Sequence, residues 1–171
     1  EAEEVVAYEV PAGTVGNQNF GGSLGMDFDV VLDIEVTHLG AFDSGSDGIL
    51  LPISVRLYDR DTMDVLAELQ FSPGDDGELV GGSRFKELDP GLDLPAGSHC
   101  SIVTDGYGAG ELVGNRGVAG PPEGLVTNSG PCSVDFVGFG RVGDAGAFPG
   151  GKDGGPPNRY AAGTFKFWPL E

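Results

Sequence analysis

Few windows longer than ten residues in this chain lack a glycine or a proline, and none carries apolar residues at helical spacing for three turns. In a helix interior glycine costs roughly 1 kcal/mol relative to alanine and proline about 3. Long helices are therefore excluded, and short strands joined by turns remain. The stretch Asp61 to Leu69 comes nearest to a helix, but Ala67, Leu69 and Phe71 alternate with Glu68 and Gln70, which predicts a strand.

With 31 glycines and 12 prolines among 171 residues, the chain borders on a composition that stays disordered. Its apolar content decides for folding. Leu, Ile, Val and Phe supply 46 residues, more than a quarter of the chain, above the roughly 20% below which a chain cannot bury enough surface to offset its ordering entropy. The length suits a single core.

Ile53, Val55 and Leu57 alternate with Ser54, Arg56 and Tyr58, the pattern of a strand buried on one face. The turn formers Asp59 to Asp64 follow, and a return strand runs from Val65 to Phe71. Further strands are predicted at 5–10, 26–36, 85–88, 98–104, 133–139 and 164–168. Short strands separated by turn signals predict an all-β domain over residues 4–169, a two-sheet antiparallel β-sandwich of jelly-roll type with long Gly-rich loops. Glu1-Ala2-Glu3 and Leu170-Glu171 are set aside as vector-derived ends.

Two segments, 105–131 and 140–163, are far longer than the usual connection of about 4 to 6 residues. Loops of that kind on a rigid scaffold carry function. Four of the nine lysines and arginines lie in them, Arg116, Arg141, Lys152 and Arg159, together with Tyr107 and Tyr160. Arginine holds sulfate or carboxylate bidentately, and tyrosine offers a flat apolar face to a sugar ring. These six residues are the candidate ligand contacts; the alternative is that the cations pair with the body of the domain and the hydroxyls pin the loops. Trp168, the only tryptophan, is read as core with Phe165 and Phe167, and a stacking platform is its alternative.

A net charge of −18 repels nucleic-acid phosphates and anionic membranes. It attracts divalent cations and suits a saline medium, where charge repulsion is screened within about 10 Å. Asp43-Ser44-Gly45-Ser46-Asp47-Gly48 gathers hard oxygen ligands in one turn, so a structural Ca²⁺ is expected at Asp43 and Asp47. Asp59, Asp61 and Asp64 read as solvated turn residues, and Asp144 and Asp153 as lesser metal candidates. No stretch reaches the roughly 18 apolar residues of a membrane span, and the missing leader and initiating Met read as a mature, trimmed form. Cys100 and Cys132 form a disulfide in a secreted chain, closing a loop of about 30 residues for roughly 3–4 kcal/mol, or stay free.

Two catalytic patterns lack their context. Gly21-Gly22-Ser23-Leu24-Gly25 fits the nucleophile elbow G-x-S-x-G, yet a strand pattern follows where a helix is required. Gly138-Phe139-Gly140-Arg141-Val142-Gly143 fits the dinucleotide fingerprint, but Gly and Pro break the helix it needs. Carboxylate pairs for glycoside hydrolysis carry no signal among 27 acids.

Leu94-Pro95-Ala96-Gly97, leading into Ser98-His99-Cys100-Ser101-Ile102, resembles a turn that opens strands in secreted bacterial β-sandwich domains. Phe42 to Gly48, Leu79 to Phe85 and Asn158 to Phe165 resemble a domain of exported bacterial proteins, many with exosortase-type sorting signals. That resemblance implies export and a β-sandwich, and brings no settled activity. In architecture the chain is similar to jelly-roll carbohydrate-binding modules of polysaccharide-degrading enzymes from environmental and marine bacteria. This implies a structural Ca²⁺ and glycan contacts from loop aromatics and arginines. The expectation is a secreted, monomeric, non-catalytic module appended to a catalytic domain, binding a soluble polysaccharide, with sulfated or acidic chains among the candidates; the alternative is a calcium-stiffened structural or adhesive surface module.

Overall fold

The computed structural model describes residues 3–170, so Glu1, Ala2 and Glu171 of the ends set aside above lie outside it. The strands are β1 (Val5–Val6), β2 (Tyr8–Glu9), β3 (Ser23–Val30), β4 (Ile34–Phe42), β5 (Ile53–Asp59), β6 (Val65–Phe71), β7 (Glu78–Val80), β8 (Ser83–Leu94), β9 (His99–Asp105), β10 (Gly114–Asn115), β11 (Val126–Thr127), β12 (Val134–Gly143), β13 (Gly151–Lys152), β14 (Tyr160–Ala161) and β15 (Gly163–Pro169). One 3-10 turn, Ser44–Ser46, follows β4.

The all-β antiparallel sandwich is what forms. A five-stranded sheet, β1-β15-β4-β8-β7, faces a six-stranded sheet, β13-β12-β3-β9-β5-β6. Inward residues recur with period two, as in Ile53, Val55 and Leu57 on β5 and Phe165 and Phe167 on β15, all fully buried. Phe28 and Phe165 meet across the interior at 4.6 Å between ring centroids, and Phe136 extends the aromatic stack at 5.8 Å from Phe28. Fully burying each such ring is worth roughly 1.5–3 kcal/mol.

The single strand expected over 26–36 is corrected to two. Ser23–Val30 and Ile34–Phe42 lie in opposite sheets, joined by the corner Val31-Leu32-Asp33, where Val31 and Leu32 are exposed. Two apolar residues at a solvent corner imitate a continuing strand. The corner is held instead by the Ser133 carbonyl, which accepts from Val31 N–H at 2.8 Å and Leu32 N–H at 3.3 Å.

The two long segments lie against the sandwich. β10 pairs with β14 and β11 with β2, while β13 adds to the edge of β12. Asn17 accepts from Asn115 N–H at 2.7 Å and donates to the Asn115, Ala119 and Gly120 carbonyls. Side-chain amides here supply pairing that a regular ladder would otherwise provide.

Candidate functional site

Five of the six candidate contacts converge on residues 151–160, at one edge of the six-stranded sheet. Arg141 on β12 is the register partner of Lys152 on β13. Arg159 and Tyr160 return beside them, and the carbonyl of Arg159 accepts from Arg116 N–H at 2.7 Å. The strand β12 bulges at Gly138-Phe139-Gly140, because Val137 pairs with Asp27 but Arg141 pairs with Gly25. Gly140 sits at φ 132°, and a Cβ there would come within 2.8 Å of the Tyr160 ring. The bulge and the loop thus pack by virtue of a missing side chain.

Most of these side chains are already committed. Arg141 is buried, and its Nε donates to both carboxylate oxygens of Asp27, at 2.7 and 2.9 Å. Its guanidinium also stacks on Phe148, 4.9 Å from the centroid. Arg116 Nη1 donates to the Pro157 carbonyl at 2.7 Å. Arg159 Nη1 donates to the Gly155 carbonyl, and its Nε lies 4.0 Å from Asp153. Tyr160 is buried with its hydroxyl donating to Asp153; burial first, and then that carboxylate, push its phenol well above the ordinary range.

Tyr107 lies away from this group. It is fully buried, and its hydroxyl donates to the Phe42 carbonyl at 2.9 Å. Burial, with Glu111 and Asp43 nearby, raises its phenol far above the usual value. The expectation that Tyr107 and Tyr160 offer faces to a ligand is therefore corrected: both rings are buried, the Tyr107 hydroxyl pins its loop to β4, and the Tyr160 hydroxyl ties its own segment together.

What stays open is Lys152. Its side chain is exposed and, among the described residues, makes no ion pair, whereas seven of the nine lysines and arginines do. Beside it a depression of about 240 Å³ is lined by Asp27, Arg60, Phe139, the glycines of the bulge, Lys152 and Asp153. Phe139 is 39% exposed. Arg60 Nη1 stands 3.6 Å from Asp27, and the Arg60 Nε is buried with no partner. The sequence reading missed Phe139, Arg60 and Asp27. The signal for Phe139 was present: an aromatic between two glycines at the end of a strand is pushed outward by a bulge.

At the turn where a structural Ca²⁺ is expected, the two carboxylates are placed differently. Asp43 is 0% exposed, and its Oδ2 accepts from Arg84 Nε and from Gly48 N–H, both at 2.9 Å. Asp47 is exposed. No group of three or more His, Cys, Asp or Glu among the described residues could hold a metal ion. The carboxylates knit the loop instead: Gly48 N–H donates to Asp43, Ile49 N–H to Asp76 and Leu50 N–H to Glu111, at 2.9 Å each. Glu111 also accepts from Ser44 N–H at 2.8 Å. Burial pushes the Glu111 carboxyl up to about 7 against the pull of those two N–H donors, and the charges of Asp43 and Asp47 add to the rise.

Among the acids of the hairpin turn, Asp59 Oδ1 accepts from Asp61 and Thr62 N–H as a turn cap; of the lesser metal candidates, Asp153 is taken by Tyr160. Cys100 and Cys132 are both free. Cys100 pairs with Phe28, and Phe28 with Phe136, so two strand spacings of roughly 4.8 Å separate the Cys100 register from β12, and Cys132 lies beyond the end of that strand. Burial pushes the Cys100 thiol up to about 12. Ser23 is no nucleophile: it is buried in β3 and its Oγ donates toward the Asp144 and Ala147 carbonyls at 2.9 Å.

No family model and no curated protein matches this chain. Among solved structures, a chain of the T13 IBDV viral particle is similar over 99% of this chain at a TM-score of 0.31 and 13% identity; this chain spans 39% of that one. A likeness at that score assigns nothing further.

Proposed function

We propose that this chain is a non-catalytic binding module for a soluble polysaccharide, carried by a secreted enzyme. Its contact surface is the depression between the β12 bulge and β13. The observation that carries the reading is Lys152. Seven of the nine lysines and arginines are paired with carboxylates, whereas, among the described residues, the exposed Lys152 ammonium has no ion-pair partner and stands beside an exposed phenyl ring. Phe139 offers a stacking face, the open backbone of Gly138 lets a ring approach closely, and Lys152 holds a carboxylate or sulfate of the glycan. The non-catalytic part of the reading is supported by Glu111, a carboxylate whose proton affinity burial raises. Both its oxygens are occupied by backbone N–H groups, and it is 2% exposed.

Calorimetry against neutral, uronate-containing and sulfated polysaccharides tests this. Binding is expected in the anionic series and lost in Lys152→Gln combined with Phe139→Ser. Silence across the panel would sink it.

A second reading is favoured by a different observation. The loop tyrosines and arginines point inward and fasten the long segments down, as befits a structural or adhesive surface module with no glycan ligand. Under that reading the same double variant retains every property of the parent.

A further inference from the structure

On the opposite side of the molecule the outer face of the five-stranded sheet is interrupted on both flanks of one residue. Between β4 and β15, Val36 pairs with Phe167 and His38 with Lys166, leaving Thr37 extra. Between β4 and β8, Val36 pairs with Leu92 and His38 with Glu87, so residues 88–91 loop out opposite the same Thr37. Two bulges facing one residue open the pleat into a depression of about 360 Å³. Bulges at such places re-aim side chains.

Trp168 forms one wall. It is the only tryptophan and is 37% exposed. The period-two pattern of β15 that sends Phe165 and Phe167 inward sends Trp168 outward, which overturns its assignment to the core. Its register partner across β4 is Glu35, so the two side chains stand side by side. Gly91 lies against that carboxylate: a Cβ there would come within 3.0 Å of Glu35 Oε2. Glu87 and Asp89 complete the rim.

The charges here are unbalanced. Glu4 takes the lysine of the face, with Lys166 Nζ at 3.9 Å, stands 3.6 Å from His38 Nδ1, and accepts from the Thr37 hydroxyl at 2.8 Å. Among the described residues the side chains of Glu35, Glu87 and Asp89 make no hydrogen bond or ion pair. They are also too dispersed to ligate a metal, since no cluster of three acids forms. A cation that fits must be larger than a metal ion, weakly hydrated, and able to lie on an indole face. An alkylammonium group has those properties.

We propose that this depression binds an organic ammonium group, with Trp168 as the aromatic wall and Glu35, Glu87 and Asp89 as counter-charges. The site lies on the sheet opposite the Lys152 surface and does not depend on the polysaccharide reading.

Because Trp168 is the sole tryptophan, its fluorescence reports occupancy directly. Choline, titrated at low salt, is expected to produce a saturable change with Kd on the order of 1 mM. Its neutral carbon isostere, 3,3-dimethylbutan-1-ol, is expected to bind at least about tenfold more weakly, the worth of one cation–π contact with its counter-charge. Glu35→Gln and Glu87→Gln change exposed or half-exposed side chains and leave the fold intact, and each is expected to weaken choline about threefold or more. Trp168→Leu, followed through the choline methyl resonances, is expected to abolish binding. No saturable response to choline overturns the proposal. So does equal affinity for the isostere, which marks an apolar hollow only, or a response that calcium chloride reproduces at equal ionic strength.

Discussion

The Tyr107 hydroxyl donates to the carbonyl oxygen of Phe42 at 2.9 Å, with both residues buried under the start of the first long segment. A tyrosine in a glycine-rich loop thus closes the end of β4, where the chain leaves the five-stranded sheet. Tyr107→Phe keeps the ring and strands the carbonyl, which costs about 1–3 kcal/mol. Urea denaturation is expected to show that loss in the midpoint. On the proposed reading, polysaccharide affinity is expected to stay unchanged.

Glu111 gives stability a specific pH dependence. Its folded value of about 7 lies above the ordinary 4.5, so the folded state holds this proton more tightly than the unfolded chain. The contribution is fully present below about 4.5 and is lost as pH rises through 7. This one group favours folding at pH 5 over pH 7.5 by up to roughly 3 kcal/mol. Glu111→Gln mimics the protonated form, and the difference between parent and variant denaturation midpoints is expected to vanish near pH 4.5 and to open toward pH 8. Parallel curves across that window would remove Glu111 as the source.

Arg141 and Asp27 form a buried pair on the outer face of the six-stranded sheet, with Arg60 next to them. Arg141→Met leaves Asp27 with only the Arg60 contact at 3.6 Å, and removal of one partner of such a pair costs about 3–5 kcal/mol. Asp27→Leu added to Arg141→Met is expected to recover much of that loss, because the uncompensated charge goes too. Thermal melts of the two single variants and the double variant give the coupling.

The strands were legible where one face is buried and the other wet: Ile53, Val55 and Leu57 point inward as their alternation requires. The corner at Val31 and Leu32 was not legible, because exposed apolar residues there carry the same letters as a strand. The loop cations were found but their partners were not. Arg141 meets Asp27 across 114 residues of sequence, and Arg84 meets Asp43 across 41. Local composition holds no record of pairing at that range. Trp168 was legible in principle, since the period that buries Phe165 and Phe167 exposes it; grouping the three aromatics as one apolar run concealed that parity.

The acidic turn at Asp43 and Asp47 resembles a calcium loop in composition, but Arg84 stands where the cation would. Its Nε lies 2.9 Å from Asp43 and 3.7 Å from Asp76, and so answers both carboxylates at once. A calcium ion using Asp43 Oδ2 would have to displace a guanidinium and the Gly48 N–H donor together. Melting temperatures in millimolar calcium and in excess chelator are therefore expected to coincide for the parent chain, and a calcium-dependent rise of several degrees would contradict this assignment. Arg84→Leu leaves the buried Asp43 uncompensated and is expected to cost about 3–5 kcal/mol. In that variant alone, Asp43 and Asp76 lack a counter-ion, and added calcium is expected to restore part of the lost stability by mass action.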